Sequence, residues 1–310
     1  MAKKIAVVND LSGFGRCSLT AAIPVIAAMG VQPCPLPTAV LSAQTGYPSY
    51  FIDDYTEKME NIYMEWRKMG VRFDGIYTGF LSDVGQIRRT EQFLDIFHGE
   101  DTFLLVDPVM GDNGARFGIF SEEFQYAMRE LVCRADIITP NLTELCLLAG
   151  EDCRLAGEGA AAAGEMCDRA GTKSEFAEMS ETGKGHITNL AGQMARDVMA
   201  QGPSEIVVTG IRFVDEESGK EMMGNLAVTG KGAELFAAEF IGESYSGTGD
   251  LFASVIAGGR ARDFEPAESV KLAQKFVGAA IRDAVRKGVP RNEGVEFERH
   301  LGMLVQGDLP

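Results

Sequence analysis

The stretch SGTGDLFAS, residues 246–254, sets two glycines and a threonine directly before an aspartate and an apolar run. Glycine tolerates the backbone conformations that turn successive N–H groups to one side, so Gly247, Thr248 and Gly249 suit an anion cradle. Leu251, Phe252, Val255 and Ile256 then fall on one helical face, which puts the cradle at the positive end of a buried helix. A phosphate is favoured there, and so is Asp250. Its plain reading is a helix-terminus residue; its chemical reading is a group that aims a hydroxyl and takes its proton. A carboxylate at a helix N-terminus should be a weak base, an objection that eases if the transition state of phosphoryl transfer is loose.

A second set of oxygen ligands, Asp107, Asp112 and Glu144, comes from DPVMGD and TPNLTEL. Carboxylates without His or Cys suit Mg²⁺, which keeps several waters and takes one or two carboxylates plus substrate phosphates. The plain alternative is a turn aspartate in GDNG and a helix-start glutamate in NLTEL. Zinc chemistry and a His-based triad have little material, because His98, His186 and His300 are scattered without ligand spacing. The glycines of NDLSGFGRCSL suggest a dinucleotide fold, but Ser18 stands where a third glycine is needed and no acidic residue ends the next strand region. There is no G-x-x-x-x-G-K-[ST] either.

These residues need a frame that brings them to one edge. Short β-branched runs alternate with helical stretches: IAVVND and a helix over 17–29, FDGIYTGF and a helix over 84–97, then TFLLVDPVM, ADIITPN and SEIVVTG. That alternation predicts a parallel sheet covered by helices. GNLAVTG and AELFAAEFIG read as a hairpin, hence an antiparallel C-terminal edge, followed by helices over 248–260 and 266–287. Parallel strands place their carboxyl ends along one edge, where open α/β sheets bind ligands. Asn9, Asp10 and Ser12, Thr78 and Gly79, Asp107, Thr139 and Asn141, and Thr209 all follow such strands. Residues 150–185, rich in Ala, Gly and Glu, read as a surface excursion of a single domain spanning 1–310.

The 310 residues are 45% hydrophobic and carry a formal charge of -16, with 29 Lys and Arg against 45 Asp and Glu. Such a field repels nucleic acid and anionic lipid, so neither is an expected partner. The start MAKKIAVVND is too short in its apolar run for a signal peptide, and six cysteines without a C-x-x-C pair suit reduced thiols in the cytoplasm.

Taken in order along nearly the whole chain, SAQTGY, DPVMGD, ITPNLTEL and SGTGDLFAS resemble the ribokinase-like superfamily, and within it the pyridoxal kinases. The resemblance implies a three-layer α/β/α sandwich and an ATP-dependent, Mg²⁺-requiring kinase acting on the 5'-hydroxymethyl of pyridoxal, pyridoxine or pyridoxamine. By the same resemblance Asp250 takes the hydroxyl proton, Asp107 and Glu144 hold Mg²⁺, and Asp112 lines the phosphate and cation region. Asn141 and Thr209 lie along the nucleotide phosphates. Ser12, Gln44 and Thr45 face the pyridine ring, with Tyr47 and Phe80 walling the pocket. A monovalent cation such as K⁺ and a homodimer are also implied. Two positions depart from the pattern: Gln44 replaces a common His and Phe80 a common Tyr. Hydroxymethylpyrimidine kinases usually carry Cys at the position of Asp250. Kinases acting on hydroxymethylpyrimidine or a sugar, and a non-catalytic carrier or sensor of the same fold, are the alternatives.

Overall fold

Lys4–Ser12, the first strand (β1), sends Ala6 and Val8 to one apolar layer and Ile5 and Val7 to another, all four buried. A strand apolar on both faces needs cover on both, and the chain supplies it. The computed structural model describes residues 2–150, 184–242 and 244–305. One layer holds α2 (Thr56–Lys68), α3 (Val84–Phe97), α4 (Glu122–Cys133), α5 (Leu142–Ala149) and α6 (Lys184–Met199). The other holds α1 (Ser18–Ala28), α7 (Thr248–Ala261) and α8 (Pro266–Lys287).

Between them β1 pairs in parallel with β2 (Gln32–Leu41) and β4 (Gly75–Thr78). The parallel run continues through β5 (Phe103–Val106), β8 (Ile137–Ile138) and β9 (Glu205–Val214). β10 (Glu221–Thr229) and β11 (Gly232–Glu239) form the expected antiparallel edge. A second antiparallel edge, not foreseen, is β3 (Ile52–Asp54) on the far side of β2. The full order is β11-β10-β9-β8-β5-β4-β1-β2-β3. A small hairpin, β6 (Gly111–Asp112) and β7 (Ala115–Arg116), turns through Asn113 and Gly114, both at positive φ, as an Asn-Gly turn demands.

Among the described residues no helix is long and apolar enough to cross a membrane, and Cys17, Cys34 and Cys133 are free thiols. The excursion read over 150–185 lies outside the described residues except at its ends. Gly150 caps α5 in a left-handed conformation, and Lys184 and Gly185 open α6.

Candidate active site

The parallel strands end beside the start of α7, and a cleft of about 1110 Å³ opens there. Gly247 at φ 80 is the N-cap of α7 and no side chain caps it, so the first-turn N–H groups are left for a ligand. Thr248, Gly249 and Asp250 line the same cleft. Asp250 accepts its own first-turn N–H but is held from outside the helix as well. Its Oδ1 accepts from Asn9 Nδ2 at 3.1 Å, and the Ser18 backbone N–H also donates to it. Burial and then the nearby Asp10 charge push its carboxyl up to about 6, against the pull of those hydrogen bonds. Burial thus opposes the weakening expected of a carboxylate at a helix N-terminus.

Across the cleft, Asp107 follows β5 and accepts from Thr139 Oγ1 at 2.8 Å. Burial and the charge of Asp250 raise it to about 7. Glu144 sits in the first turn of α5, with Oε2 accepting the Asn141 N–H at 2.9 Å and Oε1 the Met110 N–H at 3.1 Å. Asn141 Oδ1 accepts the Glu144 N–H in return, a capping box. Glu144 is also raised, well above the usual carboxylate range, by burial first and then by Asp107 itself. The third expected ligand does not join them. Asp112 lines the cleft, accepts at both oxygens from Asn113 and raises Glu144 by its charge, but among the described residues no three His, Cys, Asp or Glu side chains form a metal cage. Asn141 bridges to Thr209 where β8 and β9 diverge, and its Nδ2 donates to the Gly111 carbonyl at 2.8 Å. Both residues line the cleft.

The cleft also carries cations that sequence reading missed: Lys275 and Arg282 from α8, and Arg291. Spaced seven apart, Lys275 and Arg282 share one helical face, a pattern hidden by the net negative charge of the chain.

Ser12, Gln44, Thr45, Tyr47 and Phe80, expected to face the acceptor, are not among the residues that line this cleft. Ser12 is buried and donates to Asp10 Oδ2 at 2.8 Å. Phe80 donates its N–H to Asn9 Oδ1 at 3.0 Å. Tyr47 packs on Phe14 with ring centroids 5.7 Å apart, and Thr45 is exposed. Gln44 does not present a free amide. Its Oε1 accepts the Gly46 N–H at 2.6 Å and its Nε2 donates to Ser246 Oγ at 3.3 Å and the Asn292 carbonyl at 3.2 Å. It is a strut between loop 42–50 and the cradle. Asn9 and Asp10, noted only as strand-end residues in the sequence, are the side chains nearest in role to Asp250.

The family model for phosphomethylpyrimidine kinase matches residues 15–174 and 173–294. Over 299 residues the chain is 25% identical to the pyridoxine/pyridoxal/pyridoxamine kinase of Bordetella avium (strain 197N), covering 92% of this chain and 88% of that one. A Bacteroides thetaiotaomicron protein provisionally described as a phosphomethylpyrimidine kinase, crystallised with pyridoxal, is 33% identical. It superposes with a TM-score of 0.81, covering 100% of this chain and 98% of its own. The Staphylococcus aureus pyridoxal kinase in complex with AMP-PCP and pyridoxal shares the fold, at a TM-score of 0.65 and 18% identity over 91% of this chain and 89% of its own. The chain belongs to the phosphomethylpyrimidine kinase family, with the ribokinase-like fold that its pyridoxal kinase neighbours share.

Proposed function

We propose that the chain is an ATP-dependent kinase that phosphorylates the 5'-hydroxymethyl group of a vitamin B6 vitamer, the salvage step toward pyridoxal 5'-phosphate. The observation that carries this reading is Asp250, a desolvated carboxylate at the uncapped N-terminus of α7, between a nucleotide-sized cleft and the ends of β1 and β4. Pyridoxal in the Bacteroides relative and AMP-PCP in the Staphylococcus kinase support the two substrates. On the acceptor side the Tyr47 hydroxyl and Thr78 Oγ1 are buried without a partner, as polar substituents on a bound ring require.

In the mechanism that follows, Asp250 aims the acceptor hydroxyl at the γ-phosphate and takes its proton as the new P–O bond forms and the bond to the β,γ-bridging oxygen breaks, releasing ADP. The N–H groups of Gly247, Thr248 and Gly249 stabilise charge on the transferring phosphoryl. Asn141 and Thr209 line the phosphates, and Lys275, Arg282 and Arg291 add positive charge to an otherwise acidic molecule. Asp107 and Glu144 fit Mg²⁺: two buried carboxylates, both raised toward the neutral form, with no cation among the groups that shift them. The ion supplies neutralisation of the phosphate charge. A monovalent cation and a homodimer rest on the resemblance to pyridoxal kinases, and a cytoplasmic location on the cysteine pattern.

The test is ADP release with ATP, Mg²⁺ and K⁺, offering pyridoxal, pyridoxine, pyridoxamine and hydroxymethylpyrimidine separately. Turnover with a B6 vitamer is the expected result. Turnover with hydroxymethylpyrimidine alone would move the acceptor to the other branch, and ligand binding without any turnover would make the chain a carrier.

A pH dependence follows from the raised carboxyls. Asp107, at about 7, holds a proton over part of the neutral range, and Mg²⁺ binds only the deprotonated form. Mg²⁺ affinity therefore falls as pH drops through 7, about tenfold per unit for the proton displaced from Asp107, and the raised Glu144 adds a second proton to displace. Calorimetric Mg²⁺ titrations in buffers of different ionisation enthalpy should show proton release near neutrality. A flat affinity between pH 6 and 8 with no release would remove Asp107 from the ion's ligands.

A further inference from the structure

We propose that Asn9 is the positioning residue of Asp250, fixing one oxygen of the carboxylate, and with it the plane of the group, for the acceptor hydroxyl. The inference rests on the reading of Asp250 as the group that takes the hydroxyl proton. Asn9 is fully buried at the end of β1, and its Oδ1 accepts two backbone N–H groups, from Asp10 at 2.9 Å and from Phe80 at 3.0 Å. Only the carbonyl end of an amide can accept both, so Nδ2 must be the end that meets Asp250 Oδ1 at 3.1 Å. Two strands thus lock the donor. The chain also makes room for it: a Cβ on Gly79 would lie 2.2 Å from Asn9 Nδ2.

The residue type fits the surroundings. The titratable groups that face Asp250 are Asp10 from β1, Cys17 at the start of α1, Tyr77 from β4 and Asp107 after β5, and every one is an acid. A lysine donor would form an ion pair and take away the basicity that burial supplies. A neutral amide held from behind orients the carboxylate without quenching it. It also ties Phe80, on the acceptor side, to the same carboxylate.

The test compares Asn9→Ala, Asn9→Asp and Gly79→Ala with the parent protein in kcat, KM for ATP and for the acceptor, thermal melting, and the pH profile of kcat/KM at saturating Mg²⁺. In Asn9→Ala, kcat should fall about tenfold or more with the KM for ATP within about twofold. Its acid limb should move up from about 6 by roughly half a unit to one unit, because a donor to the ionised form is gone. Asn9→Asp should move the limb further, by setting a further carboxylate against Asp250. Gly79→Ala crowds the amide without deleting it and should move the limb the same way, which keeps the test open if Asn9→Ala does not fold. An unmoved limb in the folded variants, with or without lost kcat, would overturn the positioning role. If Asp250→Asn kept wild-type turnover, the base reading itself would fail; if it collapsed while the Asn9 variants were unchanged, only the role of Asn9 would fail.

Discussion

Asp250→Asn should lower kcat by about 10²–10⁴-fold while leaving the KM for ATP nearly unchanged. The substitution keeps the shape of the side chain. An asparagine oxygen can still accept from Asn9 Nδ2, which leaves an amide nitrogen in place of the second carboxylate oxygen, a donor where a hydroxyl must give up its own proton. Stability should move the opposite way. The folded carboxyl titrates near 6 rather than 3.8, so its charged form is disfavoured in the fold, by up to about 3 kcal/mol at pH above 6. As pH falls from 6 toward 4, the folded carboxyl takes up its proton first and that penalty disappears. Asp250→Asn should therefore melt at or above the wild-type temperature at pH 8 and lose this advantage near pH 4. A variant that lost activity and stability together at pH 8 would show that Asp250 is structural; one that kept full turnover would show that the proton goes elsewhere.

The same carboxylate shows what was legible in the chain. Element type was readable wherever periodicity was clean: the α7 and α8 helices, the β10–β11 hairpin and the parallel strands that carry Asp107 and Thr209 follow from apolar patterning alone. β2 was not. QPCPLPTAVL carries Pro33, Pro35 and Pro37, which argue against a central strand. They recur with period two, so their missing N–H donors all point the same way. Over that half β2 pairs with β1 on one side, and β3 reaches only Ala39, Val40 and Leu41 on the other. The prolines thus face an open edge, a fact of neighbours rather than of local sequence.

The site divides in the same manner. Aspartate and glutamate at strand ends were visible because those types are rare choices for core positions, and glycine because it suits tight backbone turns. Their ionisation was not visible, because it depends on water lost to residues far along the chain: Asn9 and Asp250 are 241 positions apart, and Gln44 and Ser246 are 202 apart. Gln44 shows the limit most plainly. The resemblance to pyridoxal kinases set it at the ring, and its partners in the fold, Ser246 and Asn292, are ones no local sequence shows.

Gly247→Ala should cost about 2–4 kcal/mol of stability and lower kcat by about 10²-fold or more in the protein that still folds. Two independent terms act. At φ 80 a side chain is strained whatever the space, and here there is none: a Cβ would lie 1.9 Å from the Arg16 carbonyl oxygen and 2.9 Å from Cys17 Cα. Both contacts are backbone, so no rotamer change relieves them. The chain segment they displace leads into α1, whose Ser18 N–H donates to Asp250, while Gly247 itself opens the cradle of α7. One methyl group thus pushes the base's anchor and the phosphate's anchor apart. Gly249→Ala is the contrast for stability: it has no positive φ and no atom within 4 Å of the added Cβ, so its melting temperature should stay within a few degrees of wild type. Thermal melts of both variants, with single-turnover kinetics on the folded fraction, separate the terms. Equal melting temperatures for the two would mean that the approach of α7 to the Arg16–Cys17 backbone is looser than described, and the cradle with it.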